Sequence, residues 1–158
     1  DFDLFIIMIL FDQNSNYIGQ IDYSNTKYGD DVIWLSKDDR IGNNYNDGEE
    51  MIISISRLLD ISNSSNFSIA VVIHSFKGYR LKELKSGHIK FGSSDAIYSS
   101  YNCYYLDQRF DKNGALFGFL KKKNNSYIEF QVKVIPLQIY NISDYSFRNQ
   151  IRQILINS

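Results

Sequence analysis

The chain holds one cysteine, Cys103, and one proline, Pro136, among its 158 residues. A lone thiol cannot close an internal disulfide, so no oxidative framework supports the fold and a reducing, cytoplasmic setting is expected. Charge of one sign is missing as well: 17 basic residues stand against 18 acidic ones, for a formal net charge of -1. Such a balance supplies no field to gather nucleic acid or an anionic membrane. Long apolar runs are also missing. The longest, Leu4 to Phe11 (LFIIMILF), falls far short of the roughly 20 residues that a membrane-spanning helix needs. Asp1 and Asp3 stand where a secretory signal carries positive charge, and no small-residue cleavage site follows. Patterns of the kinds GxSxG, HExxH and GxxxxGK(S/T) do not occur. Their absence removes the commonest hydrolase, metalloprotease and phosphate-loop readings, and no enzyme is expected.

What is present is a large apolar and aromatic fraction, 44% and 15%, ample for one buried core in one domain. Abundant Ile, Tyr, Phe and Val favour strands, while Asn and Ser supply turns. Leu4 to Phe11 has the length and content of a buried central strand. Tyr17 to Tyr23, Val32 to Ser36, Met51 to Ile55, Phe67 to Ile73, His88 to Phe91 and Ile97 to Leu106 read as further strands. Phe76 to Lys85 reads as a long connection or a single helical turn. Ala115 to Leu120 and Tyr127 to Ile135 flank KKKNNS as a hairpin. Its second strand alternates Ile128, Phe130, Val132 and Val134 against Glu129, Gln131 and Lys133, so one face is expected on a core and the other in water. Pro136 is expected to end that strand. The period then changes: Phe147, Ile151, Ile154 and Leu155 share one helical face, with Ser143 to cap and Asp144 at the positive end. The expected fold is an antiparallel β-sandwich of about eight strands closed by a C-terminal amphipathic helix. Residues 1–138 are expected to form the sandwich domain and 139–158 a C-terminal helical extension.

The candidate chemistry is concentrated between two strands, in Asp38 to Glu50 (DDRIGNNYNDGEE). Carboxylates and amides crowded onto one loop repel unless something compensates. Calcium, which takes six to eight oxygens in flexible geometry, fits Asp38, Asp39, Asp47, Glu49, Asn43, Asn44 and Asn46. Asp1 and Asp3 join them if the start of the first strand lies beside the loop. A solvated turn in which Arg40 neutralises one neighbour is the other reading. The spacing does not match a helix-loop-helix calcium motif. Elsewhere, Cys103, His74 and His88 have no spacing that suggests a thiolate pair or zinc. Lys77, Arg80, Lys82 and Lys85, and the hairpin tip Lys121 to Lys123, read as solvated basic clusters. Tyr98, Tyr101, Tyr104 and Tyr105 are either a protein-contact face or ordinary strand composition.

Several blocks, in order, resemble the TerD family of tellurium-resistance and stress proteins. DFDL at Asp1 to Leu4 resembles that family's acidic lead-in to a strand. VIWLSKDDRIG at Val32 to Gly42 and NDGEEMIISISRL at Asn46 to Leu58 resemble its strand, acidic loop and next strand. ALFGFLKKKNNSYIEFQV resembles its late hairpin. The resemblance implies a non-catalytic calcium-binding β-sandwich with Asp1, Asp3, Asp38, Asp39, Asp47 and Glu49 as ligands. Phe5, Tyr45 and Gly48 stand where the family usually offers further carboxylates, which implies a weakened Ca²⁺ site, with affinity in the range of about 10⁻⁵ to 10⁻³ M or lost altogether. The family's usual preceding strands are expected to be absent, leaving the domain abbreviated or completed by a protein partner. The alternative expectation is a metal-free structural subunit of a larger assembly that kept this fold.

Overall fold

The computed structural model describes residues 4–37, 49–62, 66–75, 78–83, 88–92, 101–105, 107–123 and 127–158. Its elements are strands β1 (Leu4–Asp12), β2 (Tyr17–Ile21), β3 (Lys27–Tyr28), β4 (Ile33–Lys37) and β5 (Glu50–Ile53), then helix α1 (Ile55–Ser62). Strands β6 (Phe67–Ser75), β7 (His88–Gly92), β8 (Tyr101–Tyr105), β9 (Gly114–Lys123) and β10 (Tyr127–Leu137) follow, and helix α2 (Tyr145–Ile156) comes last. Every strand pair is antiparallel. The main sheet runs β10-β9-β6-β1-β2, a second runs β3-β4-β5, and β7 pairs with β8.

Both faces of the main sheet are covered, and this explains the unbroken apolar run of β1. A strand buried on one side alternates, whereas a strand buried on both sides cannot afford polar positions on either. On one face Met8, Leu10, Ile69, Val71, Ile73, Ala115 and Phe117 pack with Val32, Ile33, Leu58, Leu81 and Phe110. On the other, Ile7, Ile9, Phe11, Ala70, Val72, Leu116 and Phe119 pack with Ile139, Ile142, Phe147, Ile151 and Leu155. The first core is the interior of a sandwich with the β3-β4-β5 layer, and α2 closes the second. Phe147, Ile151 and Leu155 lie at i, i+4 and i+8 of the helix, the spacing that keeps one stripe on the sheet.

The expected fold class therefore holds, with local corrections. Ten strands are described rather than about eight, among them the two-residue β3. The stretch after β5 turns helical at Ile55, with Ser54 accepting the first helical bond from Leu58 N at 2.9 Å, a position where serine is favoured. The basic connection after β6 contains a single 3₁₀ turn, Leu81–Glu83, anchored by the fully buried Leu81. Pro136 does not end β10, which continues to Leu137. Among the described residues β10 is an edge strand, where a missing N–H need not interrupt a ladder. The period of two in β10 also fails at Val132, which is 47% exposed. Just beyond it the β9 register slips between Val132 and Ile135, and Val134 takes φ 53°, unusual for a β-branched residue and diagnostic of a bulge. Asp144 rather than Ser143 caps α2: its backbone is extended and its carboxylate accepts from Ser146 N at 3.4 Å. Ser143 N instead donates to Asn141 Oδ1 at 2.9 Å, which turns the chain into the helix. No helix among the described residues is long and apolar enough to cross a membrane.

Candidate metal site

The acidic loop leaves β4 and returns in β5, and the stem it grows from is well defined. Leu35 pairs with Met51 and Lys37 with Glu50, a register that leaves Ser36 as the extra residue of a bulge. The Ser36 hydroxyl uses that position to donate to the Glu50 carboxylate. Residues 38–48, with the expected ligands Asp38, Asp39 and Asp47, lie outside the described residues, as do Asp1 and Asp3. Of the six expected ligands, Glu49 is described.

Glu49 does something the sequence does not announce. Its Oε1 accepts from the backbone N–H of Ile6 at 2.6 Å, across 43 residues of sequence. The β1–β2 ladder stops at the Met8–Ile21 pair, and Ile6 lies beyond it, two residues nearer the start of β1. The carboxylate thus closes part of the β1 edge that β2 does not reach. This contact brings together the end of the acidic loop and the start of the strand that follows Asp3. Among the described residues no group of three His, Cys, Asp or Glu side chains is gathered for a metal.

Phe5, where the resembling proteins offer an acid, is 4% exposed, with its ring 4.7 Å from that of Tyr23. It has joined the core and offers no oxygen. Its cross-strand partner is His74, whose pKa burial pushes down to about 4, so the imidazole is neutral at pH 7. His74 Nδ1 has no hydrogen-bond partner among the described residues. His88 pairs with Tyr105 and Cys103 with Lys90 on the β7–β8 ribbon.

The basic clusters need one revision. Arg80 and Lys82 meet Asp111 at 3.0 and 2.9 Å on an open surface, as a solvated cluster should. Their guanidinium and ammonium hold the Asp111 carboxyl below its usual pKa, the Lys82 hydrogen bond acting most strongly. Lys121 to Lys123, however, belong to β9 and not to a solvated tip. Lys122 is 4% exposed and its ammonium lies 6.0 Å from the Phe67 ring centre, while Lys121 donates to Ser158 Oγ at 3.3 Å. Tyr98 lies outside the described residues, and Tyr101, Tyr104 and Tyr105 lie on β8. An open cleft of about 400 Å³ between Asp12, Asn66, Lys121 and Leu155 sits at the Asp12–Phe67 end of the sheet, away from the Leu4–Ser75 end.

Sequence reading also missed a polar node beside α2. Asp22 is 4% exposed, yet its carboxylate accepts from Ser24 N, Ser24 Oγ, Asn25 N and Gln20 Nε2 at 2.6–3.0 Å. Gln20 Nε2 also donates to Ile142 O at 3.0 Å, which ties β2 to the segment leading into the helix. The only local signal was an acid trailing an imperfectly alternating strand.

The backbone superposes on the crystal structure of a homologue of the telluride resistance protein TerD from Streptomyces coelicolor A3(2). The TM-score is 0.76 over 96% of this chain and 86% of that one, at 13% identity. The chain has the TerD-like fold. A crystal structure of a protein of unknown function shares it, with a TM-score of 0.72, 14% identity and coverage of 90% and 82%. No family model matches the sequence, and neither does any curated protein. At such identities the TerD-like likeness is one of architecture, conserved while most side chains differ. Within that architecture residues 38–48 connect β4 and β5, neighbouring strands of the smaller layer.

Proposed function

We propose that this protein is a non-catalytic, TerD-like calcium module in which ion occupancy of the 38–48 loop sets loop order and, through it, the binding of a protein partner. The observation that supports this reading is the Glu49–Ile6 hydrogen bond. It joins the residue that follows the 38–48 segment to the strand that follows Asp3. The donor set fits the ion: carboxylates and amides are hard oxygen ligands on a stem closed by strand pairing. Asp1, Asp3, Asp38, Asp39, Asp47 and Glu49 would hold the cation, which would supply the positive charge that lets them lie together. A pre-closed stem lowers the ordering cost of that step. The test is a thermal melt with calcium chloride and with chelator: the midpoint rises with millimolar calcium, and Asp47→Ala removes the rise. A wild-type midpoint indifferent to both would sink the proposal.

A second reading is favoured by a different observation. Tyr140 and Tyr145 are 90% and 71% exposed at the approach to α2, and Val132 is exposed on the edge strand β10. Exposed tyrosines and an open strand edge suit a subunit packed in a larger, metal-free assembly. That reading expects the isolated chain to self-associate in sedimentation velocity, with calcium making no difference. A well-behaved monomer counts against it.

A further inference from the structure

We propose that β10 is a self-association edge, to which a second copy of this chain adds its own β10 antiparallel about a two-fold axis at Gln131. The proposal rests on the reading of the chain as a subunit, names its neighbour, and needs no metal.

Among the described residues the main sheet has two edge strands, β2 and β10. β2 is five residues long, and the Arg148 guanidinium lies 4.3 Å from the Tyr17 ring centre at its start. A short edge flanked by charge is poorly suited to pairing. β10 has eleven residues, and from Tyr127 to Val132 its ladder with β9 is regular. On it Val132 presents an apolar side chain that is 47% exposed, and Glu129 is exposed as well.

The occupant follows from the fact that this edge is complementary to itself. In an antiparallel pair about a two-fold, one residue faces its own copy and the flanking residues face each other in reverse order. With Gln131 at the axis, Val132 faces Phe130 of the second copy and Glu129 faces Lys133 of the second copy. Each contact occurs twice. Two aromatic–β-branched pairs therefore lie on one face of the strands and two opposite-charge pairs on the other. Centring on Glu129 or on Lys133 sets like charges opposite each other, and centring on Phe130 leaves both charges facing neutral residues. Backbone bonds along the edge supply affinity, and these side-chain pairs choose the register.

The bulge in β10 points the same way. Its register slip between Val132 and Ile135 leaves Lys133 without a Cα partner in β9. Neither Lys133 nor Glu129 makes an ion pair among the described residues. The second copy gives Lys133 the cross-strand partner that its own sheet lacks. Glu129 faces Lys121 on the β9 side, so the pairing completes a Lys–Glu–Lys row across three strands.

The experiment is sedimentation velocity on the full chain in chelator, over a micromolar concentration series. Wild type should form a dimer. Glu129→Lys and Lys133→Glu each set like charges opposite at both contacts, and each should weaken the dimer at least about tenfold. An equimolar mixture of the two variants restores both opposite-charge pairs in a mixed dimer, and should recover wild-type affinity within about threefold. Val132→Lys, at an exposed position, should also weaken the dimer at least about tenfold with an unchanged circular dichroism spectrum. If wild type associates and all three variants match it, another surface holds the copies: the proposal is overturned and the subunit reading stands. A mixture that does not recover, or open-ended growth beyond the closed dimer, overturns it as well. A wild-type monomer throughout the series overturns both the proposal and the subunit reading. If a charge variant does not fold, Val132→Lys decides: a weakened dimer supports the β10 edge, and an unchanged one overturns it.

Discussion

The side chain of Asn113 grips the backbone of Ile139 from both ends, its Nδ2 donating to Ile139 O at 2.6 Å and its Oδ1 accepting from Ile139 N at 2.7 Å. Both residues are buried, at 4% and 3% exposed, so water cannot replace either bond. Asn113 O also accepts from Ser75 N at 2.8 Å, and one residue thereby joins the end of β6, the start of β9 and the strap leading to α2. Replacing Asn113 by Ala leaves two buried backbone groups without partners and should lower stability by about 3 kcal/mol. Urea unfolding followed by tryptophan fluorescence measures it, and a loss below about 1 kcal/mol would show that the strap relaxes toward solvent.

His74 predicts a pH dependence with a definite sign. Its pKa is about 4 in the fold against the ordinary 6.5, so the unfolded chain binds the proton first as pH falls. The neutral imidazole's contribution is whole above pH 6.5 and is lost progressively as pH falls from there toward 4. Allowing for its partial exposure, the loss is on the order of 2 kcal/mol. His74→Leu should flatten the stability profile across that window. A fall below pH 4 should remain, because Asp12, Asp107 and Asp111 hold lowered pKa values through hydrogen bonds to Asn16 N, Arg109 and Lys82 respectively.

Gly118 sits at the register slips of β9 with both of its neighbours. A Cβ there would collide with the Gln131 carbonyl and meet the Phe130 ring at 3.0 Å. Backbone cannot swing aside as a flexible side chain can, so Gly118→Ala should cost about 3 kcal/mol or abolish folding. Gly78, whose added Cβ would meet nothing within 4 Å but whose φ is +76°, is the comparison: Gly78→Ala should cost only about 1 kcal/mol, from backbone strain alone.

The cap of α2 separates two neighbouring residues. Asp144→Ala should lower the melting midpoint in line with about 1 kcal/mol, whereas Ser143→Ala should leave it within about 0.5 kcal/mol. Equal effects would mean that the extended Asp144 backbone, and not its carboxylate, starts the helix.

What the sequence showed and what it hid follow from how far each signal reaches along the chain. β1 was legible because burial on both faces writes an apolar residue at nearly every position. α2 was legible because its stripe repeats over three turns. α1 was not, since its eight residues make only about two turns, too short a stretch to tell from the strand that precedes it. Pro136 misled because β10 is an edge among the described residues, and Val132 because a bulge just beyond it breaks the alternation. Lys122 looked like a hairpin tip only because the end of β9 was placed too early. In the candidate site the acids were read as oxygen donors from composition and resemblance, and five of the six lie outside the described residues. The tie from Glu49 to Ile6 was not, because it joins residues 43 apart through a tertiary contact that no periodicity encodes.

The order of the main sheet has a kinetic consequence. β1 finds its partner β6 through pairs as distant as Leu4 and Ser75, and β6 finds β9 through pairs such as Ser68 and Lys121. Contacts of such sequence separation close large loops before they are rewarded, which places folding on the millisecond-to-second side for a chain of this size. During synthesis β1 leaves the ribosome with both faces apolar and waits for β6 to arrive, while α2, the final described element, covers Ile7, Ile9 and Phe11 last. The nascent chain is therefore most vulnerable to aggregation through β1, and a chaperone that shields that strand should raise its yield more than one that acts on the finished domain.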